Sequence, residues 1–98
     1  MKKLVIHHTF DADIIAVPKR IAVRADKYQG FFYEWIYDKS IDHKYWIYEN
    51  GEKECIGMCT EAFVEYLNNF HVKNPKEKVY VLEENIREFS EDLPILYF

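Results

Sequence analysis

No stretch of this sequence restricts the fold more tightly than Asn50-Gly51. Both residues tolerate positive φ, the conformation that a two-residue hairpin turn demands, and both flanks are strand-like. Tyr45-Trp46-Ile47-Tyr48 precedes them and residues 52–58 follow, so an antiparallel hairpin over 45–58 is predicted. Its register stays open. A two-residue loop opposes Glu49 to Glu52, Trp46 to Cys55 and Tyr45 to Ile56. A three-residue loop opposes Glu49 to Lys53, Ile47 to Cys55 and Trp46 to Ile56.

Around this hairpin the 98 residues suit one α+β domain, because so short a chain rarely supports two cores. Residues 2–9 read as a strand, with Leu4, Ile6 and His8 on one face and Val5 and His7 on the other. Aspartates 11 and 13 break it at a turn, and residues 14–17 form a second short run. Pro18 then opens a long helix over about 18–39, since Ile21, Ala25, Tyr28, Phe32 and Trp35 keep the helical period. A rival reading makes strands of Ile21-Ala22-Val23 and of the alternating Phe31, Tyr33, Trp35 and Tyr37.

Thr60 serves as the expected N-cap of a second helix over about 60–70, with Phe63, Tyr66, Leu67 and Phe70 buried. Residues 78–82 read as a strand, and 83–91 as a short amphipathic helix carrying Leu82, Ile86, Phe89 and Leu93. Residues 95–98 make a closing edge strand. Both helices are expected to pack on a mainly antiparallel sheet that contains the 45–58 hairpin.

Composition excludes more than it identifies. The longest apolar runs are too short to cross a bilayer, which takes roughly 20 residues, so no membrane is expected. No cleaved signal is expected either, which points to a cytoplasmic protein. Lysine outnumbers arginine ten to three, a bias of AT-rich coding that fits a low-GC bacterium or its phage. Residues 49–98 carry eleven acidic and five basic side chains, which argues against nucleic acid as a partner of that half.

No catalytic or metal pattern stands out, so the expectation is a non-enzyme without cofactor or metal. His7 and His8, as strand neighbours, point to opposite faces. Cys55 and Cys59 have the wrong spacing for a zinc or redox pair and read as reduced thiols. There is no phosphate-binding glycine loop and no serine nucleophile elbow.

Surface is what remains. The segment 28–48 holds nine of the seventeen aromatic residues, and the hairpin has more apolar area than one sheet face hides. Tyr45, Trp46 and Tyr48 are therefore candidate anchors for a protein partner, unless a second copy of the chain covers them in a homodimer. Glu83, Glu84 and Glu88 are candidate contacts of an acidic face that meets a basic partner. The predicted function is a small interaction protein, such as a phage or mobile-element inhibitor or accessory protein. The alternative is a small-molecule-binding or catalytic domain whose pocket is lined by Tyr28, Trp35, Tyr45 and His8.

Overall fold

Two adjacent strands rich in Ile and Val build the centre of the molecule. In the computed structural model, which describes residues 1–98, β1 (Lys2–His7) and β2 (Ala12–Val17) pair antiparallel from Lys2 opposite Val17 to His7 opposite Ala12. Alternation along β1 puts Leu4 and Ile6 into the main core and Val5 into a smaller cluster on the other face with Ala12 and Ile14. Both faces of this pair are thus covered, which explains why β2 is apolar nearly throughout.

Pro18 ends β2 and introduces the helical region as expected, but not as one helix. A single turn, α1 (Lys19–Ala22), is separated from α2 (Ala25–Ile36) by Val23 and by Arg24, whose φ of −133° and ψ of 35° are not helical. The periodic stripe is real on both sides of the break. Ile21 is buried where α1 meets β1, whereas Phe32 and Ile36 are buried where α2 meets the next helix. One straight axis cannot serve both contacts, and the break at Arg24 redirects the chain. The helix also ends before 39, because the Asp38 side chain accepts from both the Ser40 N–H and the Ser40 hydroxyl.

The hairpin forms where Asn50-Gly51 places it, as β3 (Trp46–Glu49) and β4 (Glu52–Ile56), with φ of 54° at Asn50 and 79° at Gly51. It is a separate two-stranded sheet, not part of the central one. Each expected register describes half of it. Glu49 opposes Glu52 and Tyr48 opposes Lys53 next to the turn, then a bulge shifts the pairing to Ile47 with Cys55 and Trp46 with Ile56.

Next comes α3 (Thr60–Phe70), whose N-cap is Cys59 and not Thr60. Phe63, Tyr66 and Leu67 are buried in the core, but Phe70, expected to join them, is 54% exposed at the helix end. A 3-10 turn, Pro75–Glu77, leads into β5 (Tyr80–Ile86). The helix expected over 83–91 does not exist, because pairing with β2 extends this strand to Ile86. Strand formation there gives the β2 backbone a partner on its second side, which outweighs a local helical period. The apolar residues of that period still find burial: Ile86, Phe89 and Leu93 pack on the cluster of Val5, Ala12 and Ile14, though Leu82 stays exposed.

The chain closes with β6 (Ile95–Tyr97), parallel to β1, so the four-stranded sheet is mixed and runs β5-β2-β1-β6. The helices cover one face, where Phe32 and Phe63 meet edge-to-face at 5.2 Å. No helix is long and apolar enough to cross a membrane.

Candidate functional site

The hairpin aromatics separate into inward and outward groups. Trp46 is only 7% exposed; its indole N–H donates to the Ile41 carbonyl at 2.7 Å and its ring stacks on His43 at 5.1 Å. His43 is held as well, with Nε2–H donating to the Ile36 carbonyl at 2.8 Å and Nδ1 accepting from the Tyr45 N–H at 3.2 Å. That pattern assigns the neutral tautomer protonated at Nε2. Lys53 crosses from β4 to bond the Lys39 carbonyl at 2.5 Å and the Asp42 carboxylate. Together these bonds fasten the loop after α2 to the hairpin.

Tyr45 is half-buried, and its hydroxyl donates to the Glu65 carboxylate on α3. Burial, with that carboxylate second, pushes the phenol well above its ordinary range. Tyr48, by contrast, is 54% exposed beside an exposed Ile47.

Glu83 and Glu84 lie on β5, an edge strand, and Glu88 lies in the segment after it; all three are exposed. None takes part in the protein's four ion pairs. The edge they occupy is irregular, with two shifts of register against β2 and a positive φ of 55° at Asn85. Bulges and charges of this kind protect an edge from uncontrolled strand addition.

Glu84 also borders the largest concavity, an open cleft of about 590 Å³ between the β1–β2 turn, the start of α3 and the end of β5. A partly buried clasp lines it. The Thr60 hydroxyl donates to Asp13 Oδ2, while Asp13 Oδ1 accepts from the Asn85 N–H at 3.0 Å. His8 Nε2 lies 2.8 Å from the Thr60 oxygen and 3.5 Å from Asp13 Oδ2. Thr60 has one proton and gives it to Asp13, so His8 must be the donor in its bond to Thr60. A nucleophilic triad would put the carboxylate on the far ring nitrogen from the hydroxyl. Here both oxygens sit at Nε2 and Thr60 is 4% exposed, so the geometry ties β2, α3 and β5 together.

Phe10, Asp11, Glu61 and Phe98 also line the cleft. Of the pocket expected from sequence, only His8 lines the cleft; Tyr28, Trp35 and Tyr45 are instead partly buried against the main core. Tyr28 instead packs at 5.0 Å on His71, whose Nε2 is 2.9 Å from the Tyr66 hydroxyl. Burial first, and then Arg20, hold the His71 pKa below the usual histidine value. No group of three His, Cys, Asp or Glu side chains converges in a way that could hold a metal ion.

Asp13, Thr60 and Phe10 were the residues that sequence reasoning missed as a unit. The turn at 10–13 was legible, but the contact between Asp13 and Thr60 spans 47 positions, and no local signal announces it. Compared with known proteins, the chain matches no family model, no curated protein and no solved structure.

Proposed function

We propose that this is a non-enzymatic interaction protein that binds a protein partner through its acidic C-terminal face, acting as an inhibitor or accessory factor in the cytoplasm. The observation that carries the reading is the group Glu83, Glu84 and Glu88, exposed on one sheet edge and the adjoining segment without a cation paired to any of them. Unpaired carboxylates along one strand edge attract a basic partner over a distance of roughly 10 Å at 0.1 M salt. Of the three hairpin aromatics, Tyr48 is exposed, whereas Tyr45 and Trp46 are engaged within the protein.

The test is affinity enrichment with the wild type and with a variant carrying Glu83→Lys and Glu88→Lys, repeated across a salt series. A partner retained by the wild type, lost from the variant and weakened by salt supports the reading. Equal recovery by both proteins at every salt concentration would exclude it.

A further inference from the structure

Phe10 is 88% exposed at the tip of the turn joining β1 to β2. Such exposure of a phenyl ring is unfavourable in water, and the turn does not relieve it. The backbone there is closed by the His8 N–H donating to the Asp11 carbonyl at 2.8 Å, so the ring stands on a braced support. Rigid, exposed aromatic side chains of this kind are what interfaces use as anchors.

Behind the ring lies the cleft, whose other side chains say what would accompany it. Asp11, Glu61 and Glu84 all line it, and none is paired with a Lys, Arg or His. The cleft's one basic group, His8, is committed to Thr60 and Asp13. Phe98 also borders the concavity, but its ring packs into the core on Phe63 at 5.4 Å and Phe32 at 5.9 Å. The cleft thus combines carboxylate acceptors with the exposed face of Phe10, the chemistry that suits a guanidinium, which forks onto carboxylates and stacks on a ring. A lysine ammonium would use the charge but not the planar geometry.

Building on the acidic-face reading above, we propose that the partner protein inserts one arginine side chain into this cleft while Phe10 packs against the partner beside it. The acidic edge would steer the approach, and the cleft would give the contact its register.

The inference can be tested without knowing the partner. Isotope-labelled protein is titrated with a short blocked Leu-Arg-Leu peptide, with the same peptide carrying citrulline in place of arginine, and with spermidine. Amide shifts are followed by NMR. The arginine peptide is expected to shift the amides of Asp11, Thr60, Glu61 and Glu84 and to bind at least about tenfold more tightly than the citrulline peptide. Asp11→Asn combined with Glu61→Gln should weaken it by about tenfold, and Phe10→Ala by roughly two- to fivefold. Glu54→Gln, exposed on the separate hairpin sheet and outside the cleft lining, should leave the affinity unchanged.

The proposal is overturned by absence of binding, by equal affinity for arginine and citrulline peptides, or by shifts centred elsewhere. Spermidine binding as tightly as the arginine peptide would reassign the cleft to free polyamines. A dimer seen by sedimentation and abolished by Phe10→Ala would reassign it to a second copy. Well-dispersed spectra of each variant establish that it is folded. Enrichment lost on reversal at Glu83 and Glu88, without peptide binding in the cleft, would retain the acidic-face reading and reject this one. The opposite pattern would do the reverse.

Discussion

The Thr60 hydroxyl donates to the Asp13 carboxylate across 47 positions of sequence and joins the first turn of α3 to the second strand of the sheet. Asp13 in turn accepts from the Asn85 N–H, so one side chain links three elements around the cleft.

Thr60→Val keeps the shape of the side chain and removes its hydroxyl. Asp13 Oδ2 then keeps only the longer contact to His8, and a loss of about 1–3 kcal/mol in folding stability is expected. Urea denaturation measures it. Thr60→Ser, which retains the hydroxyl, should recover most of the difference, and amide exchange at Asn85 should quicken in the valine variant only.

Trp46→Ala should cost about 3–5 kcal/mol, since it empties a buried site and removes the indole bond to the Ile41 carbonyl, which keeps only Lys53 as a donor. Tyr48→Ala, at an exposed position, should stay within about 0.5 kcal/mol of the wild type. Thermal melts of the two variants would separate the structural aromatic from the exposed one. Equal losses would contradict the burial difference between them.

The same substitution at two glycines should act in opposite directions. Gly30 lies within α2 and a Cβ there meets nothing within 4 Å, so Gly30→Ala should stabilise by about 0.5–1 kcal/mol. Gly51 also has open space, but its φ of +79° disfavours any Cβ, so Gly51→Ala should destabilise by about 1–2 kcal/mol. Denaturation midpoints of the two variants on either side of the wild type are the expected result.

Acid should weaken the fold through His71. Its folded pKa lies below the unfolded value of about 6.5. Between those two values the unfolded chain binds more protons, so stability rises with pH. The contribution is complete above about 6.5 and falls away as pH drops toward the folded pKa. Replacing His71 by Gln removes this component, and stability plotted against pH should be flatter for His71→Gln than for the wild type in that window.

Much of the architecture was written in local patterns. Asn50-Gly51 could turn only one way at low cost, and the hairpin stands where they sit. The period of Ile21, Ala25, Phe32 and their neighbours is helical, and Phe63, Tyr66 and Leu67 do face the core. These features depend on residues a few positions apart, so the physics that sets them is contained in the segment. The residues around Glu83 show the limit. Their spacing favours a helix locally, yet the open side of β2 offers backbone partners and draws them into a bulged strand.

The site was less legible. Exposure of the acidic residues followed from their charge, but the inward position of Trp46 depends on Ile41, His43 and Lys53 meeting it from other segments. The clasp in the cleft joins Asp13 to Asn85, 72 positions distant. The sequence alone thus determined turns, periods and charge balance, because each is settled by near neighbours. Tertiary structure alone decided which strand took the sheet edge, which aromatics turned inward and which carboxylates came to surround a cleft. Those outcomes depend on satisfying backbone bonds and burying apolar area across the whole chain.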